Sequence, residues 1–433
     1  MNANLLKFNF ILVILSTLAM FTPVFSGYVL GGFMLVVVLL SRFETRTSGQ
    51  IVIRARFLTL LRPLSNASLV LWMLLILAGL WAAAETEHPD YKALRQGLGN
   101  VGVKYVILWF AYLSFWWRAA AFRKLWSAFA LSYAVAAVVH GAFCVAQRQL
   151  GLDWAHGFSG VLNPGRFAYG VYRISGFMGH PLTLGYCQAL ALVGCLTLWR
   201  NAEERWEKNA WLVASIAAAL VLSLSGSRGP IASALIGFAL ICPFTGFLRH
   251  WKITSIGLVG LVIFAWYFGL FARFSELFQS GVGGDARALH LAVHWRIFTE
   301  HLFHGLGPGA PREAISAYYL SYGIGDSIKL AHNAFLQFAA DYGLLGVAGV
   351  VNWVVSYLFV ARRTSIVKSG LYALLAVSVS GAMSQNTYQD SGFMFSLTVW
   401  TMLLVAREVS VRDFPTGRPK DENFVTGKGG ATS

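Results

Sequence analysis

The stretch Ala331-His332-Asn333-Ala334-Phe335-Leu336-Gln337 sets an imidazole and two amides where a long polar segment turns into an apolar helix long enough to enter a membrane. Asp341 adds a carboxylate nearly three turns beyond His332. An imidazole titrates near neutrality, so His332 is a candidate general base for an acceptor hydroxyl, with a structural hydrogen-bonding role as the alternative. Asn333, Gln337 and Asp341 are candidates to orient it or to hold substrate hydroxyls. A second constellation is Ser225-Gly226-Ser227-Arg228-Gly229-Pro230. Its small residues let a ligand approach the backbone, and Pro230 suits the first turn of a helix. Arg228 at such a helix end makes an anion site. The same spacing also fits a tight turn with a snorkelling arginine.

A third group lies in Asp285 to His301, which reads as a helix that Asp285 is able to cap. Arg287, His290, His294 and His301 fall on one stripe of it at helical spacing. Two histidines four residues apart are able to share a zinc ion, but the stripe has no acidic ligand and the chain has no HExxH, so no metal is expected. Cys144, Cys187, Cys195 and Cys242 sit inside apolar runs without metal-ligand spacing and read as small buried hydrophobes. Glu85, Glu87, His88 and Asp90 read as a solvated acidic loop.

The elements that position these groups are membrane helices. Hydrophobic residues make up 57% of the chain and charged ones 12%, with mean hydropathy +0.60; a soluble domain is about a quarter charged. Apolar runs near the ~20 residues that cross a bilayer as a helix recur throughout, without strand-like alternation. The expected fold is all-α and polytopic, with twelve spans: 5–24, 27–40, 64–84, 101–117, 125–147, 181–199, 210–224, 230–248, 253–271, 335–360, 371–384 and 393–406. Residues 1–412 read as a single transmembrane domain with outer loops at 149–180 and 272–331, and residues 413–433 as a flexible tail. With both termini in the cytoplasm, the larger basic clusters fall inside, as the positive-inside bias requires. The net charge of +15 therefore reports topology before it reports a partner, and nucleic acid is not expected.

Some basic residues fall outside against that bias, among them Arg148, Arg166, Arg173, Arg228, Arg273, Arg287, Arg296 and Arg312. Guanidinium forks suit phosphate oxygens, so this set points to an anionic ligand on the outer face. Ser225 to Gly229, Arg287 placed before Gly305-Leu306-Gly307, and His332-Asn333 followed by Asp341-Tyr342-Gly343-Leu344-Leu345-Gly346 together resemble the O-antigen ligase superfamily. That superfamily covers O-antigen ligases, O-antigen polymerases and protein O-oligosaccharyltransferases. The resemblance runs from about Arg173 to Tyr388. Leu291 stands where the family often has an aromatic residue, and Gly179-His180-Pro181 where it often has Asn-Pro.

The resemblance implies a GT-C-like glycosyltransferase of a bacterial inner membrane, with a large helical periplasmic loop and a periplasmic active site. Its donor would be an undecaprenyl-pyrophosphate-linked glycan. Arg228 and Arg287 match arginines that engage the pyrophosphate, His332 the proposed base, and Arg173 an arginine of the preceding outer loop. Catalysis is expected of His332, Arg228 and Arg287. Substrate contacts are expected of Arg173, Arg166, Ser227, Arg296, Asn333, Gln337, His180, Arg148 and Arg312. No cofactor or metal is expected, since arginines would neutralise the leaving group. A ligase would use lipid A-core as acceptor, and its phosphorylated sugars suit Arg148, Arg166 and Arg312; a polymerase of O-antigen or exopolysaccharide would use a second lipid-linked unit. A polysaccharide or lipid transporter would show polar, broken helices near the midplane and inverted repeats, whereas the charges here gather at membrane edges and no repeat is evident.

Overall fold

The computed structural model describes residues 48–85, 123–151, 167–168, 171–245, 284–307, 312–325 and 330–413, together with Thr17, Met20 and Phe21. Its long helices are α1 (Ser48–Glu85), α2 (Arg123–Leu150), α3 (Pro181–Asn201), α4 (Arg205–Leu224), α5 (Arg228–Thr245), α6 (Gly284–Glu300), α7 (Arg312–Ser321), α8 (Ala334–Arg363), α9 (Lys368–Ser384) and α10 (Ser391–Asp413). A short antiparallel ladder, Phe167–Ala168 with Val171–Tyr172, precedes α3. Eight of the twelve expected spans are helices here, and six of the described helices are long and apolar enough to cross a bilayer. The expected spans 27–40, 101–117 and 253–271, most of 5–24, and the tail after Asp413 lie outside the described residues. The largest departure from expectation is α1, which continues upstream through Pro63 and carries Arg54, Arg56 and Arg62 in the helix rather than in a loop.

Helices α3 and α10 form the centre: 83% and 94% of their most apolar windows are buried, against 28% for α1 on the perimeter. Trp126, Trp211, Trp400, Tyr186 and Phe393 are buried together in one continuous core. Exposed apolar side chains such as Leu69, Met73 and Leu77 on α1 and Val135 and Val139 on α2 face outward, as lipid-facing helices require.

The bundle has two distinct poles. At one, Glu408 is fully buried and accepts from the amides of Ser365 (3.0 Å), Ile366 (2.8 Å) and Val367 (3.1 Å), which closes the start of α9. Beside it Arg407 donates to the Asn201 carbonyl at 2.5 Å, and Glu207 accepts from Trp126 Nε1 at 2.7 Å. Buried charges persist only when bonded in this way. Arg200, Arg205, Arg362, Arg363 and Lys368 belong to this basic pole. The opposite pole gathers the start of α3, the α4–α5 turn, the start of α8 and the α9–α10 connection, where Thr183 hydrogen-bonds Asp390.

Helix α8 breaks at Gly343, whose φ of 59° and ψ of −151° interrupt the helical ladder. The segment after α6 repairs the break backbone to backbone. Leu306 and Gly307 amides donate to the Ala340 and Asp341 carbonyls (2.8 and 3.0 Å), and the Leu344 amide donates to the Leu302 carbonyl at 2.8 Å. A Cβ on Gly343 would lie 2.4 Å from Phe303 backbone, and one on Gly305 (φ 69°) would lie 2.4 Å from Asp341 backbone. Only glycine allows both the left-handed backbone and the contact. The adjoining His304 bonds Glu85 at the end of α1, 2.9 Å apart. Glu85 is thus the last residue of a long helix with a histidine partner, not part of a solvated loop.

Candidate active site

His332 is the one non-glycine residue with positive φ (52°) among the described residues. A β-carbon disfavours that backbone, so the surroundings must hold it. They do so from both sides. Asn333 caps α8, its Oδ1 accepting from the Leu336 amide at 3.0 Å while its Nδ2 donates to the Met383 carbonyl at 3.3 Å. Gln337 accepts from the Ala331 amide at 2.9 Å and donates to Asp341 Oδ1 at 3.0 Å, so both belong to the scaffold of the turn. The ring itself meets Gln385 at the end of α9, with Nδ1 2.9 Å from Oε1. Donation from Nδ1 to that amide oxygen leaves the lone pair of a neutral imidazole on Nε2, the state of a general base.

Gln385 was not singled out in the sequence. A glutamine just past an apolar span reads as a loop residue, and its partner is 53 positions away. The one available signal is the polar run Ser384-Gln385-Asn386 between two spans that end and begin at the same pole.

The same α9 end reaches the arginine turn. Ser384 Oγ lies 2.7 Å from Tyr186 Oη, and a Cβ on Gly229 would come within 2.6 Å of Tyr186 Oη and 3.4 Å of Ser384 Oγ. Arg228, the first residue of α5, therefore sits next to a backbone that touches the histidine's own support. Ser227 is buried and accepts from Arg173 Nη2 at 2.8 Å. Arg173, Ser227 and Arg228 thus form one cluster, joined through Tyr186, Ser384 and Gln385 to His332.

On the other side of His332 stands α6, whose His290 ring centroid is 5.6 Å away. Arg287 precedes His290 by one turn on that helix; its side chain lies outside the described residues. His290 and His294 are buried. Their Nδ1 atoms bond the carbonyls of Leu330 (3.0 Å) and His290 (2.9 Å), and Tyr319 of α7 packs edge-on to both rings. Burial lowers His294 to about 4, with His290 and His332 adding to that and its own backbone hydrogen bond opposing it. No group of metal-ligating side chains occurs among the described residues.

The other expected contacts are dispersed. His180 is exposed and caps α3, its Nδ1 accepting from the Leu182 amide at 3.3 Å. Arg296 is exposed and pairs with Glu300 at 2.7 Å, lying over Tyr318. The hydrogen bond from Tyr318 Oη (2.6 Å) and that from Arg296 hold Glu300 below the usual carboxylate range, while burial and Glu300 push Tyr318 up to about 12. Arg148 lies in the last turn of α2 and is half-buried. Arg312 begins α7 with its side chain outside the described residues, and Arg166 lies outside them altogether.

The fold and this pole define a multi-helix membrane protein with cationic and imidazole side chains gathered at one end of the bundle. Residues 188–351 match the family model described as O-antigen ligase, which supports the resemblance to the O-antigen ligase superfamily. The matched segment holds Arg228, Arg287 and His332, the three residues expected to carry catalysis. No curated protein matches the chain.

Proposed function

We propose that the protein is an O-antigen ligase that moves a glycan from undecaprenyl pyrophosphate to a sugar hydroxyl of lipid A-core at the periplasmic face of a bacterial inner membrane. The observation that carries this is His332, held at positive φ with Nδ1 on Gln385 and supported by the same helix end that abuts the Arg228 turn.

In this reading the acceptor oxygen attacks the anomeric carbon while the bond from that carbon to the pyrophosphate oxygen breaks. The bonding pair leaves with the pyrophosphate, and the acceptor's proton goes to His332 Nε2. Attack opposite the leaving group inverts the anomeric centre. Arg228 and Arg287 neutralise the charge that grows on the pyrophosphate, so the step needs neither nucleotide nor divalent metal. Arg173 and Ser227 support Arg228 and extend the anion site; Asn333 and Gln337 fix the histidine turn. Residues 1–412 act as one GT-C-like unit, and Arg148, Arg166 and Arg312 meet phosphorylated core sugars. A polymerase of the same superfamily would share the donor half of this site and differ in acceptor.

The test is donor turnover by purified protein. Arg228→Ala and Arg287→Ala are each expected to lower kcat by about 10²-fold or more, as loss of one preorganised charge-stabilising donor does. Wild-type turnover by a folded Arg228→Ala protein would remove that arginine from the reaction.

A further inference from the structure

We infer that Gln385 is a positioning residue that sets the tautomer of His332, an assignment that rests on the base reading above and deepens it. Three observations converge on it. Its Oε1 lies 2.9 Å from His332 Nδ1. It is the C-cap of α9, where its own backbone amide is already bonded to the Gly381 carbonyl at 2.9 Å, so the helix end is closed without the side chain. And the residue it holds has a backbone that only an enforced environment maintains.

The chemistry follows from the inventory of a neutral imidazole, which carries one N–H and one lone pair. If the lone pair sat on Nδ1 it would face the amide carbonyl, and Nε2 would carry the hydrogen and be unable to accept one. An acceptor at Nδ1 puts the hydrogen there and frees Nε2. Glutamine does this without charge. A carboxylate in its place would stabilise the imidazolium and make the base protonated over a wider pH range. The neighbours facing the ring from α6 are His290 and His294, neither of them an acid, so the described partner on Nδ1 is uncharged.

Gln385→Glu, Gln385→Leu and His332→Ala are compared as full-length protein in detergent, with undecaprenyl-pyrophosphate-linked glycan and lipid A-core as substrates. Gln385→Glu is nearly isosteric and is expected to move the acid limb of the kcat profile up by about one pH unit, the effect of an opposite charge on an imidazole. Gln385→Leu is expected to lower kcat about tenfold with KM nearly unchanged, because transition-state proton transfer is weakened and binding is not. Combined with His332→Ala it adds no further loss, as two residues acting through one step do not add. An unmoved profile for Gln385→Glu, or a full additional loss from Gln385→Leu in the His332→Ala background, overturns the assignment and leaves the base reading intact. An active His332→Ala protein overturns both. Should Gln385→Leu fail to fold, the profile of Gln385→Glu decides alone.

Discussion

At the scale of single residues, the pole depends on a few hydrogen bonds that set which atoms are free to react. His332→Ala is expected to lower transfer by about 10²-fold or more, the usual contribution of a positioned general base, and steady-state transfer rates check it. His294 gives a separate prediction about stability. Its folded-state value of about 4 lies below the ordinary histidine value of 6.5, so the folded protein resists a proton that the unfolded chain binds. Its stabilising effect is complete above about pH 6.5 and is lost as pH falls from there towards 4. Thermal unfolding in detergent should occur at lower temperature at pH 5 than at pH 7.5, and His294→Gln should narrow that gap. The histidine and arginine motifs were legible in sequence because outer arginines run against the positive-inside bias and a histidine at the start of a membrane helix offers a base. Their supports were not: Gln385, Met383 and Tyr186 meet the site only through tertiary packing.

At the scale of elements, the break in α8 is the feature on which the site's geometry rests. The glycine motifs at Gly305 to Gly307 and at Gly343 were each visible as helix breakers. That they repair one another was not, since backbone pairing between segments almost forty residues apart leaves no periodicity to read. Gly343→Ala combines left-handed backbone with a contact of 2.4 Å to other backbone and should destabilise markedly, by roughly 3 kcal/mol or more. Gly323→Ala is the control: its φ is 68° but nothing lies within 4 Å of the added carbon, so only the conformational cost of about 1 kcal/mol remains. Unfolding midpoints of the two variants should separate accordingly. Helix α6 was anticipated to within a residue at each end, because Arg287, His290, His294 and His301 repeat at helical spacing.

At the scale of the whole molecule, span counting gave eight helices that are present, while the long upstream extension of α1 escaped it because Arg54, Arg56 and Arg62 interrupt the apolar run ahead of residue 64. The two poles supply a test of orientation. Gly325, exposed and with open space around an added side chain, belongs to the loop after α7; Ser365 belongs to the basic pole. Gly325→Cys should react with a membrane-impermeant maleimide in intact spheroplasts, and Ser365→Cys only after the membrane is opened. Labelling of both from one side would contradict the two-pole topology. The most direct test of the account as a whole is transfer by purified protein supplied with undecaprenyl-pyrophosphate-linked glycan and lipid A-core in the presence of EDTA. The account predicts glycan on lipid A-core for the wild type and a yield lower by about 10²-fold or more for His332→Ala. Lipid A-core left bare while lipid-linked chains lengthen would instead mark a polymerase, and transfer abolished by chelation would contradict the arginine-based, metal-free step.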